Sequence, residues 1–451
     1  MIVPFALGSY KRDAGFLPEL RLRNLIVEQT PAASEKIVLL PRPGLKAAYN
    51  LGAPVQAIYC EPGVLGGSVV SLAGNGVYLN DKLTGIIGAQ ADRAARFAGT
   101  AYELVFCNGG SLYHVDKTGL STIAFPDGAR VRAVAVFDTF FLAVRDGTQR
   151  LYWSASNDGT SWPALNYSAA TSRPDNLLDV VVSNDQIALL GESGIEFWQA
   201  NPSGAADLPF TRIDGLTYSK GVLNTGAAVY ADNTLIWVGS DGIVYRRSAT
   251  PQRISDNGVE EQIAKSGTAY LFTFIWRGHT FLVLSLNGMT LAYDFQTQEW
   301  LEFSTIGFDG WRAVCGQANG IEPVFGDEAG NVLTLDEGAI ADAGAAIERR
   351  FTAMLPGPVQ IDNLFLDAQG GVGGDTSPIV VELSLSRDGS QTWSPFVQTD
   401  LGKRGEYRKR AMWRRLGLYD MGAVLDFRTT DAAPFTVQSL HMNEPMGGRG
   451  V

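Results

Sequence analysis

Seven times along the chain a short apolar segment runs into a glycine-bearing turn and returns as a second segment carrying an aromatic residue or leucine. The unit reads VVSLAGNGVYL (69–79), LVFCNGGSLYHV (104–115), FFLAVRDGTQRLYW (140–153) and IALLGESGIEFW (187–198). It continues as LIWVGSDGIVY (235–245), FLVLSLNGMTLAY (281–293) and PVFGDEAGNVLTL (323–335). The turn glycines Gly76, Gly110, Gly147, Gly194, Gly242, Gly288 and Gly330 lie 34, 37, 47, 48, 46 and 42 residues apart. Asn-Gly, Asp-Gly and Ser-Gly pairs suit two-residue hairpins, because glycine enters the positive-φ region without a Cβ clash. One hairpin every ~40–50 residues is the period of propeller blades. A single blade would expose an apolar sheet face; radial packing buries those faces and leaves only short edges. The expectation is an all-β chain with a β-propeller of six or seven blades over residues 36–345. The competing arrangement, unrelated hairpins in a β-sandwich, does not account for the steady spacing.

The pattern changes at DEGAIADAGAAIERRFTAMLPGP (336–358). Beyond it, alternating apolar segments joined by polar turns predict a separate C-terminal antiparallel β-sandwich over 346–451. Residues 1–35 read as an N-terminal arm of mixed charge, and the closing MGGRGV is expected to be loose. With 45% hydrophobic and 18% charged residues in 451, the balance is the reverse of a disordered chain. Apolar runs such as RAVAVFDTFFLAV (132–144) stop well short of the ~20 residues that span a bilayer. The N-terminus has no basic stretch ahead of its apolar run, so no signal peptide is expected and synthesis is placed in the cytosol.

Two stretches suggest chemistry. SLSRDGSQTWS (384–394) and SASNDGTSW (154–162) approach the sialidase Asp-box, S-x-D-x-G-x-T-W. In the first, Ser386, Asp388, Thr392 and Trp393 keep register while the glycine, Gly389, is one position early; the second is a residue short. An Asp-box has no catalytic role, since its aspartate satisfies backbone donors in a turn and its tryptophan packs beneath. Both therefore read as hairpin devices, with Trp393 expected against the sandwich core. Cys60, Cys107 and Cys315 are too few and too far apart for a disulfide framework or a thiolate metal site. His114, His279 and His441 fit no zinc motif. No P-loop, G-x-S-x-G elbow or dinucleotide fingerprint occurs, and GGVGG (370–374) lacks a following lysine or helix. No catalytic residue, metal or cofactor is assigned. Carboxylate pairs that converge only in space keep open a carbohydrate-binding or sialidase-like propeller.

Charge is uneven. The net charge is −11, yet KRGEYRKRAMWRR (403–415) holds Lys403, Arg404, Arg408, Lys409, Arg410, Arg414 and Arg415 against Glu406 alone. That segment carries +6 and leaves −17 on the remainder. Gly405 and Gly417 bracket it, and Tyr407, Met412 and Trp413 interleave with the charges, which predicts a strand of alternating basic and apolar residues. Three readings stand: a docking strip for an acidic partner surface, a nucleic-acid contact, or a solvated edge kept from aggregating by its charge.

The same residues carry a resemblance. YRKRAMWRRLG (407–417), between SLSRDGSQTWS and LDFRTTDAAPFTVQSLHM, resembles the C-terminal domain of the packaged-DNA stabilisation proteins, the tail hub or nozzle subunits, of short-tailed bacteriophages. Their basic run is matched by Lys409 or Arg410, Trp413, Arg414, Arg415, Leu416 and Gly417. Their N-terminal signature is similar to RNLIVEQTP (23–31) and LLPRPGLK (39–46), and IEFWQ (195–199) and AYDFQTQEW (292–300) sit where that family has propeller strands. The resemblance implies a non-enzymatic virion protein of the short tail. Its subunits would form a homo-hexameric ring below the portal and adaptor, retain packaged DNA, conduct it during ejection and hold spikes, fibres or a needle.

Overall fold

The computed structural model describes residues 1–13, 18–30, 37–89, 93, 95–203, 208–317, 322–372 and 377–444. Seven antiparallel four-stranded units succeed one another as blades: 55–86, 96–123, 131–169, 177–218, 228–253, 270–303 and a last one over 315–336. The count expected as six or seven is seven. The seventh blade is completed from the other end of the sequence. Cys315–Gln317, Val324–Gly326 and Asn331–Asp336 supply three strands, and Gly44–Asn50 supplies the fourth, in register from Asn331 opposite Asn50 to Asp336 opposite Gly44. This strand closes the ring of blades and removes the edges an open array would present.

Packing between blades explains the runs of unbroken apolar residues. Leu104–Cys107 and Thr234–Val238 are buried at every position. Each lies in a sheet covered on both faces by neighbouring blades, so the polar–apolar alternation of a half-exposed sheet is lost. Aromatic side chains fill the spaces, as where Trp237 stacks between Tyr218 and Tyr245 at centroid separations of 5.9 and 5.4 Å.

The C-terminal sandwich has one sheet built on Arg349–Pro356, Gly422–Thr429, Val380–Ser386 and Val397–Asp400, and a second on Val359–Ala368, Ala411–Tyr419 and Val437–Met442. Phe351 stacks on Phe427 at 4.8 Å, and Trp413 meets Phe427 edge-on at 5.6 Å. The N-terminal segment pairs with both this domain and the propeller. Leu25–Gln29 and Ile37–Pro41 form a hairpin that joins the second sheet where Leu39 faces Val437. Leu22–Arg23 lies parallel to the outer strand of the sixth blade (Arg23 opposite Glu302) and antiparallel to Arg349–Pro356. It thereby fuses blade and sandwich into one nine-stranded sheet. The expected arm–propeller boundary at 35/36 falls outside the described residues, as does MGGRGV. The boundary at 345/346 falls within Ala345–Ala346, a short strand still attached to the seventh blade's sheet. No described helix is long and apolar enough to cross a membrane.

Candidate functional site

The basic strip sits at the free side of the sandwich, but only its second half is a strand. Residues 403–410 form turns, and Ala411–Tyr419 forms the strand. Glu406, the segment's one acid, organises the turns: its carboxylate accepts the Lys403 amide at 2.7 Å, and its carbonyl accepts the Lys409 amide at 3.3 Å. Two of the cations are spent internally. Lys409 pairs with Asp400, and Arg410 pairs with Asp367 and, at 3.0 Å, with Glu444. Lys403, Arg404, Arg408, Arg414 and Arg415 are exposed. Among the described residues no carboxylate pairs with Lys403, Arg408, Arg414 or Arg415.

The alternation expected along the strand fails for a definite reason. Between the pairs Ile361–Gly417 and Asn363–Arg414 the register slips by one residue, and Arg415 takes φ +58°. The bulge turns Arg414 and Arg415 outward together, while Ala411 and Trp413 stay buried and Trp413 Nε1 donates to the Val397 carbonyl at 2.9 Å. Sequence reading missed Arg387, whose guanidinium lies over the ring of Tyr419, the last residue of this strand, at 4.8 Å. Arg387 sits in the near-Asp-box, just past Val380–Ser386 in the other sheet, and only the packing of the two sheets brings it to Tyr419. Leu418 (56% exposed) and Met421 (92% exposed) add apolar surface to the same end.

A second cluster lies where hairpin, sixth and seventh blades and sandwich meet, and it gathers the two N-terminal motifs of the sequence. Asn24, fully buried at φ +57°, donates through Nδ2 to the carbonyls of Ser304 (2.9 Å) and Glu348 (2.7 Å). Its Oδ1 accepts from Arg42 Nε at 2.7 Å. Arg42 also makes a two-pronged pair with Asp342 at 2.9 and 2.6 Å and donates to the carbonyls of Pro43 and Ser304, both at 3.0 Å. Gly44 follows because a Cβ there would lie 2.4 Å from the Ala341 carbonyl. The Asn-Leu and Pro-Arg-Pro-Gly motifs thus lock the domains together. Asp342, Arg312 and Asp327, which finish the cluster, carried no signal in the sequence.

The near-Asp-boxes are turns. Asp388 accepts from the Gln391 and Thr392 amides (3.0 and 2.9 Å) and the Thr392 hydroxyl (2.5 Å). The Thr392 bonds hold its carboxyl down to about 2. Asp158 bonds the Thr160 amide and hydroxyl in the same way, with Trp162 buried beneath. Trp393 departs from expectation. It is half-buried, away from the core, and Arg21 of the N-terminal segment covers its ring at 6.0 Å. His441 joins Ser439 Oγ (2.9 Å) to Glu444 (2.9 Å) in the order of a hydrolase relay. Asp367 lies 3.2 Å from the same Oγ and would oppose any oxyanion there, and Ser439 is only 5% exposed. Burial pushes the thiols of Cys107 and Cys315 up to about 11 and about 12, so both stay protonated.

Side chains also tie together blades that are not neighbours in the ring. Arg96 of the second blade reaches Asp179 of the fourth at 3.2 Å, and Asp179 also accepts the Gly226 amide at 2.9 Å. Arg132 of the third blade donates to Thr225 at 2.7 Å.

The chain is thus a ring of blades joined to a sandwich through its N-terminal segment, with an exposed basic end. Residues 1–339 match the family described as bacteriophage P22 Gp10, beta-propeller, and residues 350–444 match bacteriophage P22 Gp10, beta-sandwich. The chain belongs to this family, the tail nozzle or DNA-stabilisation proteins of short-tailed phages, and is a phage structural protein. A search of curated proteins finds no match. Among solved structures, the computationally designed Ika8 protein is 16% identical, with 74% of this chain and 99% of that chain covered and a TM-score of 0.40. The Myceliophteria thermophila Cps50 (Swd1) β-propeller domain is 8% identical over 65% of this chain and 100% of its own, with a TM-score of 0.41. BBS1N, solved in complex with ARL6DN, is 8% identical over 65% and 98%, with a TM-score of 0.44.

Proposed function

We propose that the chain is the tail nozzle or hub subunit of a short-tailed phage, forming a homo-hexameric ring below the portal and adaptor. The ring retains packaged DNA, conducts it during ejection and anchors spikes, fibres or a needle. It performs no catalysis. The observation that carries this reading is the match of both domains, in order, to one phage tail family. Two features support it. Arg96 and Asp179 tie together the inner strands of the second and fourth blades, and in this reading the conduit is the space enclosed by several copies. The body is acidic, and a duplex that must slide is best served by walls that do not neutralise its phosphates. The exposed strip then docks on the acidic surface of a neighbouring copy or the adaptor, and six repeats of one modest contact close a stable ring.

Labelling virions for this protein and imaging them tests the reading. Label at the short tail is expected; label on the capsid alone overturns it. The purified chain is also expected to leave duplex DNA unshifted in a gel at physiological ionic strength. Tight binding there would make the strip a nucleic-acid contact.

A further inference from the structure

Three arginines are buried at the junction, Arg42, Arg312 and Arg349, with two buried carboxylates, Asp342 and Asp327. Arg42 has the full set of partners given above. Arg312 pairs with Asp327 at 2.7 Å and donates to the carbonyls of Asp342 and Ala343 at 2.9 and 3.1 Å. Arg349 has no such set. It is 1% exposed, its one side-chain hydrogen bond among the described residues is a long one from Nη1 to the Asp431 carbonyl (3.4 Å), and its Nε meets no described acceptor. Burial, then the charge of Arg42, pulls its guanidinium down to about 10. An ionised group in this position is costly unless something compensates it.

The compensation has a place to bind. Arg349 lines a cavity of about 230 Å³ together with Arg42, Arg277, Trp276, Gln369 and Thr436. The one carboxylate among the described residues of its wall, Glu337, is already held by Arg277 through two bonds of 3.0 Å and by Trp276 Nε1 at 3.2 Å. A water's share of liquid volume is about 30 Å³, so there is room for a small oxyanion with water beside it. We propose that this cavity binds an oxyanion, a carboxylate or phosphate group, that completes the donor set of Arg349. The planar guanidinium fork suits both groups. The oxyanion comes either from a free ion or from an acidic side chain of a second copy. The second source rests on the ring reading, and the first does not.

The test is isothermal titration of the intact protein with inorganic phosphate, and separately with acetate, against sodium chloride of equal ionic strength. Saturable one-site binding of either anion is expected, with an unfolding temperature that climbs with the logarithm of its concentration. The climb should vanish in Arg349→Met and persist in Arg145→Gln, a partly buried arginine of the third blade that pairs with Asp127 away from the cavity. If Arg349→Met does not fold, the wild-type titration still decides, and Arg349→Lys should bind about tenfold or more weakly. Sedimentation separates the sources. Binding that leaves the oligomer intact assigns a free ion; phosphate that dissociates the wild-type oligomer assigns a carboxylate of a second copy. Water alone in the cavity, seen as no saturable heat with either anion, overturns the proposal.

Discussion

Arg42 shows how much one side chain can organise when all of its donors are met. Its partners come from the hairpin, the sixth blade and the segment after the seventh, and Asp342 alone among them carries the opposite charge, so losing it leaves the guanidinium buried without a counter-charge. Asp342→Ala is expected to cost about 3–5 kcal/mol, read from the urea midpoint, whereas Arg42→Met with Asp342→Leu should recover much of that loss. If the double variant is as unstable as the sum of the two singles, the pair is not coupled. Asp388 acts on a smaller scale and depends on pH. Its carboxyl sits at about 2 in the fold against 3.8 in an unfolded chain, held down first by the Thr392 hydroxyl and amide. Its contribution is therefore present above about pH 4 and is lost as pH falls through about 2. Asp388→Asn should melt below wild type at pH 7, with the gap narrowing steadily in melts taken down to pH 3. A gap of constant size would mean that the carboxylate's charge does not matter.

Among the elements, a strand of only two residues links the two domains. Leu22–Arg23 has hydrogen-bonded neighbours on both sides, Leu22 is fully buried, and Arg23 pairs with Glu302 of the blade at 2.7 Å and with Glu348 of the sandwich at 2.6 Å. Leu22→Asp is expected to uncouple the domains, so that calorimetry shows two transitions in place of one. A single transition at unchanged temperature would show that the hairpin alone holds them. The bulge at Arg415 makes a different prediction. Arg414 and Arg415 face solvent together, so Arg414→Glu with Arg415→Glu should leave the melting temperature within about 1–2 °C of wild type, as for surface changes away from the core. Ring or tail assembly, followed by sedimentation, should weaken. Wild-type assembly of that variant would reduce the strip to a solvated edge.

At the scale of the whole molecule, closure by Gly44–Asn50 makes the propeller depend on a contact between residues far apart in the chain. Such a contact forms only after a large loop closes, so folding should be slow and should end with the seam. Leu45 is 1% exposed within that strand, and Leu45→Ala is expected to destabilise by about 2–5 kcal/mol while accelerating unfolding more than it slows folding. Stopped-flow measurements in urea check this. A variant that slows folding as much as it destabilises would place the seam in the nucleus instead.

Much of this protein could be read from local pattern. The repeat of apolar segment, Gly turn and apolar segment specified the blades, because a hairpin is a contact between residues a few positions apart. The basic run stood out for the same reason. Physical proximity across the fold decided the rest. The N-terminal segment paired with the C-terminal sheets, a bulge turned Arg414 and Arg415 outward together, Arg387 arrived from the turn after another strand, and Lys409 and Arg410 met carboxylates outside the basic run. Arg349 is the limiting case. In the sequence it is one more arginine in a turn-rich stretch, and only the packing of two domains around it determines that its charge is buried beside an open cavity.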